Sequence, residues 1–195
     1  GRPVILLTTH LRENWGDPMR RIGLAVAEIA RRYPDYVVVF PAHANPLVRE
    51  QVVPAIQALD NVIVCDSLDY PEFVHAQKWA RIVLTDSGGV QEEAPSFGKP
   101  VLVLRENTER PEAVDAGTVK LIGTETERIV AEVSRLIDDP RAYEAMSRAV
   151  NPYGDGLAGE RSAAAIAQLL GVGERIPDFA ASAQEPMVAL RTCGG

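Results

Sequence analysis

Residues 82–96 read IVLTDSGGVQEEAPS, a short apolar run that passes through a polar turn with two glycines into a helical pattern. Residues 82–85 are predicted to form a buried strand, because consecutive aliphatic and β-branched residues suit the interior of a sheet. The helix is predicted at about residues 90–96. A strand followed so closely by a helix is the repeating unit of an α/β fold.

The same alternation runs along most of the chain. Further strands are predicted at residues 3–8, 36–40, 62–65, 101–104 and 119–122. A helix is predicted to begin with Asp17 as its N-cap and Pro18 as its first residue. Other helices are predicted at residues 46–59, 71–79, 124–137, 140–150 and 161–170. Since the strands are apolar throughout, we expect a doubly wound α/β domain whose parallel sheet is covered on both faces.

The domain is predicted to span residues 1–170. After Gly171 the periodicity ends and Gly, Pro and Ser accumulate, so residues 171–195 are predicted to be a tail or an arm that packs on another domain.

Composition limits the classes of partner. The chain has 195 residues, 46% of them hydrophobic, with a net charge of −7. An acidic balance argues against a nucleic-acid partner. Without an apolar run of membrane-helix length we expect no membrane partner and a cytoplasmic location. Cys65 and Cys193 match no metal-ligand spacing, and Cys65 is predicted to be a buried strand thiol.

Polar, irregular segments follow four of the predicted strands. They lie at residues 9–14, 43–46, 86–93 and 105–112. In doubly wound sheets ligands bind beyond the carboxyl ends of the strands. We therefore expect these four segments to share one rim of the sheet and to form the functional site.

The turn Ser87-Gly88-Gly89 suits an anion such as a diphosphate. Glycines allow the backbone to approach a ligand closely, and the following helix directs free N–H groups at the same place. Glu93, one turn into that helix, is placed to accept hydrogen bonds from ribose hydroxyls. The alternative is a simple helix N-cap by Asp86 or Ser87, with the glycines serving only the turn.

Arginine and histidine residues give weaker signals. Arg105 and Arg110 flank a short loop and suit phosphate oxygens, although surface pairing with the neighbouring glutamates is the more common role of an isolated arginine. His10 directly follows a strand, whereas His43 is less favourably placed and His75 lies within a helical pattern. The chain contains no Gly-x-Gly-x-x-Gly after a strand, no Gly-Lys-Ser/Thr phosphate loop and no Gly-x-Ser-x-Gly, which argues against a nicotinamide dinucleotide site.

Four segments together resemble the non-hydrolysing UDP-N-acetylglucosamine 2-epimerases. They are TTHLREN at residues 8–14, HANP at 43–46, TDSGGVQEEAPSFGKPVLVLRENTERPE at 85–112 and NPYGDG at 151–156. The third is the most specific, and the resemblance extends over residues 3–170. It implies one half of a GT-B architecture, in which two Rossmann-like domains hold a UDP-sugar between them. This chain resembles only the second domain, so the family's N-terminal domain is absent from it.

The resemblance also implies an activity. Family members interconvert UDP-N-acetylglucosamine and UDP-N-acetylmannosamine for cell-surface polysaccharide biosynthesis, without NAD or a metal. UDP is eliminated to leave a 2-acetamidoglucal and is then added back. The catalytic carboxylates belong to the family's first domain, so this chain alone is expected to bind UDP and to turn over little. The complete protein is expected to be a homodimer.

Site residues follow from the same resemblance, position by position. His10 resembles the active-site histidine. The residues that resemble the UDP site are Leu68 and Phe73 beside uracil, the turn Ser87, Gly88 and Gly89 with Arg110 at the phosphates, and Glu93 at the ribose.

One position departs from the family pattern. Bacterial members usually carry arginine directly after the histidine, where this chain has Leu11. That arginine and the histidine matching His43 are associated with a second, regulatory UDP-N-acetylglucosamine. Leucine supplies no guanidinium, so we expect weak or absent allosteric activation.

Two other functions fit the same residues. A non-catalytic UDP-sugar-binding module would need the same nucleotide site without the acid–base groups. A GT-B glycosyltransferase domain would share the architecture and would transfer the sugar to an acceptor.

Overall fold

A six-stranded parallel sheet forms the centre of the molecule in the computed structural model, which describes residues 1–180. The strand order is β3-β2-β1-β4-β5-β6, the arrangement of a doubly wound Rossmann-like sheet. The predicted fold class is therefore confirmed. The strands are β1 (Val4–Thr8), β2 (Val37–Ala42), β3 (Val62–Asp66), β4 (Ala80–Thr85), β5 (Val101–Val103) and β6 (Val119–Leu121).

Helices connect the strands and cover the sheet. They are α1 (Asp17–Arg32), α2 (Pro46–Ile56), α3 (Tyr70–Trp79), α4 (Gly88–Glu93), α5 (Pro111–Asp115), α6 (Thr126–Asp138), α7 (Pro140–Ser147) and α8 (Ala158–Leu169). Short 3-10 turns lie at Arg12–Asn14 and Ala94–Phe97. The five-residue helix α5 was not predicted from the sequence, because so short a segment has no measurable periodicity.

Two apolar clusters lie on opposite faces of the sheet. Ile5 and Leu7 of β1 face a cluster that includes α1, α2 and α6, whereas Leu6 faces the cluster that includes α3, α4 and α5. Successive side chains of a strand point to opposite faces, so an all-apolar strand requires both faces to be covered. The structure meets that requirement, as the strand composition predicted.

The order of the strands reverses between β1 and β4. These strands are parallel neighbours, with Thr8 beside Thr85 and their hydroxyl oxygens 2.7 Å apart. The helix after β1 and the helix after β4 lie on opposite faces, so the loops diverge and leave a crevice at this end of the sheet. The segment containing His10 follows β1, and the Ser87 turn follows β4.

The predicted starts of α1, α3, α4, α6 and α8 differ from the structure by one to three residues, and two of these differences concern the helix caps. Asp17 is the first residue of α1 and Gly16 is its N-cap, with φ of 92° and no side-chain hydrogen bond at the cap. Helix α4 begins at Gly88 instead of residue 90, with Ser87 as an N-cap that also makes no side-chain bond. Both caps depend on backbone geometry, which residue types alone do not specify.

Cys65 is half-buried rather than buried, because β3 is an edge strand and only part of it is covered. Cys193 and the last part of the predicted tail, residues 181–195, lie outside the described residues. Among the described residues, no helix combines the length and the apolar character that crossing a membrane would require.

Candidate functional site

A cavity of about 210 Å³ opens in the crevice between the ends of β1 and β4. Its lining brings together several residues that the sequence places far apart, namely His10, His43, Leu68, Phe73 and Ser87. The four polar segments predicted to share one rim of the sheet do come together around this crevice. The remaining predicted residues, Gly88, Gly89, Glu93 and Arg110, lie on α4 and on the loop beside it.

The histidine segment is held by a fully buried carboxylate. Asp86 is 0% exposed and accepts hydrogen bonds from the backbone N–H groups of His10 and Leu11 at 3.0 Å, and from the Thr9 hydroxyl at 2.8 Å. The Asn14 side-chain amide donates a further bond at 3.1 Å. These donors all come from one loop, so a single carboxylate fixes the path of the chain after β1.

Asp86 fixes the backbone of His10, whereas the imidazole ring is partly exposed. The ring Nδ1 lies 3.4 Å from Asp86 Oδ1, and the side chain is 41% exposed. The imidazole therefore has one edge toward a buried carboxylate and the other toward the cavity. The sequence left open a helix N-cap by Asp86 or Ser87. Ser87 occupies the N-cap position of α4 without a side-chain hydrogen bond, whereas the Asp86 oxygens are directed at the histidine segment.

The Ser87 turn presents backbone N–H groups at the mouth of the crevice. The Ser87 N–H donates to Thr85 Oγ1 at 3.0 Å, which fixes the exit from β4. A Cβ atom at Gly88 would lie 3.6 Å from the Arg110 Nη2 atom, so the guanidinium group lies directly over this glycine. The start of α4 and a guanidinium group thus face the same small volume, which favours an anion.

A chain of hydrogen bonds connects that turn to the arginine loop. The fully buried Gln91 donates through Nε2 to the Ser87 carbonyl at 3.2 Å and accepts at Oε1 from the Thr108 hydroxyl at 2.7 Å. Thr108 Oγ1 in turn accepts from the Arg110 backbone N–H at 3.0 Å. Gln91 was not identified from the sequence. Glutamine is common in helices, so the sequence does not distinguish this residue; only its burial in the structure does.

Arg110 also pairs with Glu92, whose carboxylate contacts the guanidinium Nε. This hydrogen bond and the negative charge of Glu92 raise the pKa of Arg110 above its ordinary value. Both side chains are about one-third exposed or more, so the pair lies at the surface of the crevice and a bound anion can reach the guanidinium.

Arg105, the other arginine of the loop, is buried, and its guanidinium group is bound by two glutamates. It donates to both carboxylate oxygens of Glu109 at 2.9 Å and also contacts Glu13. The hydrogen bonds from Arg105 lower the pKa of Glu109 to about 2. Pairing with a neighbouring glutamate, the alternative considered for both arginines, therefore describes Arg105, and its guanidinium is not free for phosphate.

The apolar side of the cavity is provided by the start of α3. Asp69 caps this helix with its side chain, accepting from the Glu72 N–H at 3.0 Å, while Glu72 bonds back to the Asp69 N–H. This reciprocal cap fixes where α3 begins. Phe73 in the first turn of α3 and Leu68 just before it consequently face the cavity.

His43 lies against His10. Their rings are 5.7 Å apart between centroids and nearly parallel, at 18°. The two rings, Leu11 and Trp15 also line a second cavity, of about 520 Å³, beside the first. His75 is exposed on α3 and lines neither cavity.

The segment 151–156 packs behind α4. The Asn151 side chain donates to Ser96 Oγ at 2.7 Å, and Tyr153 packs on the apolar cluster beneath α4. The Asp155 carboxylate is bound by both terminal nitrogens of Arg161, at 2.6 and 2.7 Å, which holds the pKa of Asp155 far below its ordinary value. This segment thus packs against the C-terminal end of α4 and the turn that follows it.

Across residues 1–180 no group of three or more His, Cys, Asp or Glu side chains is arranged to hold a metal ion. The polar groups described above are instead donors and acceptors of the kind that bind a phosphorylated organic ligand.

The family model for UDP-N-acetylglucosamine 2-epimerase matches residues 1–167. The chain belongs to this family. Among similar epimerases, that of Yersinia pestis is 54% identical over 160 residues, which are 82% of this chain and 43% of the relative. The chain thus spans less than half the length of the relatives it matches.

Solved structures of the family agree with this assignment. The S. aureus MnaA–UDP co-structure superimposes with a TM-score of 0.87 at 47% identity, over 92% of this chain and 49% of that chain. UDP-GlcNAc 2-epimerase from Neisseria meningitidis bound to UDP-GlcNAc gives a TM-score of 0.81 at 47% identity, over 87% and 45%. This chain therefore corresponds to one half of a GT-B type fold, as the resemblance implied.

Proposed function

We propose that this chain holds the UDP group in a UDP-N-acetylglucosamine 2-epimerase, which interconverts UDP-N-acetylglucosamine and UDP-N-acetylmannosamine. The proposal rests on one observation. A group of donors suited to phosphate, at Arg110 and Gly88, adjoins an apolar cavity at the point where the strand order reverses. Dinucleotides and nucleotides bind at this point in doubly wound sheets.

Each part of UDP has a matching group. The uracil ring packs in the cavity beside Leu68 and Phe73, and the ribose hydroxyls donate to the Glu93 carboxylate. The diphosphate accepts from the Ser87 hydroxyl, from the backbone N–H groups of Gly88 and Gly89, and from Arg110; the Ser87 N–H is already bound to Thr85 Oγ1. The fit is supported by the placement of Arg110 over Gly88, since its Nη2 atom lies 3.6 Å from where a Cβ atom of that glycine would be.

The chemistry requires a stabilised leaving group. When UDP leaves the sugar, negative charge develops on the oxygen of the β-phosphate, and fixed N–H donors and a guanidinium lower the energy of that state. His10 lies between the diphosphate and the place of the sugar, where its ring donates to or accepts from the departing oxygen. Asp86 fixes the backbone that carries this ring. The protein's own groups thus serve elimination and re-addition without an added cofactor.

A second domain is proposed to close the cleft and to supply the acid–base carboxylates. Helix α8 supports this, because none of its residues is buried. Ile166, Leu169 and Leu170 are 57%, 86% and 68% exposed, which is unusual for large aliphatic side chains on one helix end. We propose that the complete enzyme is a homodimer and that it is located in the cytoplasm.

His43 is proposed to lie at a regulatory position, where it lines the second cavity together with Leu11. Because leucine offers no charge to a second UDP-sugar, we expect UDP-N-acetylmannosamine conversion to follow a hyperbolic dependence on substrate and to need no added UDP-N-acetylglucosamine. A strict requirement for it in the complete enzyme would contradict this.

A proton NMR time course of this chain with UDP-N-acetylglucosamine tests the proposal. Broadening of the uridine signals without new anomeric signals is the expected result for a UDP site separated from its carboxylates. Appearance of UDP-N-acetylmannosamine would mean that this chain completes the active site by itself. Absence of any change in the uridine signals would contradict a UDP site, and transfer of the sugar to an acceptor without epimer would favour a glycosyltransferase.

A further inference from the structure

Gln77 is a fully buried polar side chain that the proposed reaction does not use. It lies near the end of α3 and is 0% exposed. Its Nε2 donates to Glu93 Oε2 at 2.9 Å, whereas its Oε1 is buried and has no partner within the described residues. A buried amide oxygen without a partner is unfavourable, so the hydrogen bond to Glu93 is what this side chain offers and an apolar side chain of the same size does not.

The orientation of the Gln77 amide is fixed by chemistry. If the amide were turned over, its carbonyl oxygen would face the Glu93 carboxylate, and two acceptors would lie in contact. The N–H group therefore faces Glu93. Within residues 1–180 this is the one side-chain hydrogen bond of the Glu93 carboxylate, and it holds one oxygen while leaving the other free.

Helix α3 thereby connects the cavity with the Glu93 carboxylate. Phe73 and Gln77 are four residues apart, so they lie on the same face of the helix. Phe73 reaches the cavity that we assign to the base, and Gln77, one turn further on, reaches the carboxylate that we assign to the ribose. The position of the carboxylate is thus set relative to the base by a single helix.

We propose that Gln77 is a positioning residue that directs the Glu93 carboxylate at the ribose hydroxyls and so sets selectivity for a ribonucleotide over its deoxy forms. This rests on the proposed function of the cavity as a UDP site. A carboxylate held by one bond has fewer orientations to lose when it accepts from the ligand. Without Gln77 the carboxylate turns toward water, and the ribose loses its acceptor.

The test is a thermodynamic cycle that combines Gln77→Met with loss of the ribose hydroxyls. UDP and 2′,3′-dideoxy-UDP are titrated calorimetrically into both proteins. The wild-type chain is expected to prefer UDP by about tenfold, the value of one charge-assisted hydrogen bond. In Gln77→Met that ratio is expected to fall to about twofold, through weaker binding of UDP with little change for the dideoxy ligand.

Gln91→Met is the matched control. Gln91 is equally buried and sits one helix away, but its bonds go to Ser87 and Thr108 on the phosphate side. Its substitution is expected to weaken UDP and dideoxy-UDP by the same factor and to leave their ratio near tenfold. A general loosening of the site would instead lower the ratio in both variants, and that result would overturn the special role of Gln77.

The outcomes separate this inference from the proposed function. A wild-type chain that binds neither nucleotide overturns both. Equal affinity of the wild type for the two ligands overturns the inference and the assignment of Glu93 to the ribose, but leaves the UDP site. An unchanged ratio in Gln77→Met overturns only the inference. If the variant does not fold, the Gln77 side-chain amide signals of the wild type decide in its place: they are expected to shift with UDP and not with dideoxy-UDP, and the same shift with both ligands would overturn the inference.

Discussion

The two sides of the crevice hold their functional groups by different means. On the histidine side, the fully buried Asp86 accepts hydrogen bonds from several donors of one loop. On the arginine side, Arg110 is held by a partly exposed ion pair with Glu92 and by the Thr108 hydroxyl. The carboxylate that anchors the first side is fully buried, whereas both members of the ion pair on the second are partly exposed.

The difference has a functional meaning. A buried carboxylate with several donors is costly to disturb, so the backbone at His10 is fixed before any ligand arrives. A surface ion pair contributes little stability and exchanges partners readily, so Arg110 can move from Glu92 to a phosphate. The histidine side is therefore pre-formed, and the arginine side is adjustable.

The largest effect is expected from Asp86→Asn on the histidine side. The amide replaces one acceptor oxygen by a donor, which leaves buried N–H groups without an acceptor, so we expect the free energy of unfolding to fall by about 3 kcal/mol. Chemical denaturation measures it. Asp17→Asn, whose side chain is 69% exposed, is the control and should change the free energy by less than about 0.5 kcal/mol. Equal effects of the two variants would contradict a buried anchor.

Arg110→Ala tests the arginine side of the crevice. We expect UDP binding to weaken by about 1.5–3 kcal/mol through loss of a charge-assisted bond. The free energy of unfolding should change by less than about 1 kcal/mol, because the lost pair is at the surface. Calorimetric titration measures the first quantity and denaturation the second. Arg32→Ala, which removes an exposed pair with Glu28, should leave UDP binding unchanged. Unaltered UDP affinity in Arg110→Ala would make Arg110 a surface residue only.

The smallest expected effect is on the stability of the folded chain at low pH. Arg105 lowers the pKa of Glu109 in the folded protein to about 2 from an ordinary 4.5. The contribution of this pair to stability is therefore complete above pH 4.5 and is lost as the pH falls toward 2. A carboxyl ¹³C titration should give the low midpoint in the folded chain and the ordinary one in urea. An ordinary midpoint in the folded chain would mean that Arg105 is not held by Glu109.

The sequence was sufficient for the sheet and for the grouping of the polar segments. Apolar strands and the polar segments after them predicted a doubly wound fold with those segments at one rim, and the structure has both. The function of that rim stays a prediction. The anchors of the site were not predictable in the same way. Asp86 binds a loop more than seventy residues away, and Gln77 reaches Glu93 from another helix. Such pairings depend on burial and on tertiary contact, which periodicity does not encode.

Edge effects account for other differences. Cys65 has the neighbours of a buried strand residue, but β3 is at the edge of the sheet, and the thiol is half-exposed in consequence.

The likeness of Arg105 and Arg110 in sequence gave no indication that one is enclosed by Glu13 and Glu109 while the other faces the crevice. Only the arrangement of the loops distinguishes them.

The most direct test of the account is an amide NMR titration of this chain with UDP and, separately, with inorganic pyrophosphate. UDP is expected to shift the signals of His10, Phe73, Gly88, Gly89 and Arg110 together, whereas pyrophosphate should shift the signals of Gly88, Gly89 and Arg110 and leave Phe73 unchanged. Shifts confined to α8, or spread evenly over the surface, would contradict a UDP site at the junction of β1 and β4.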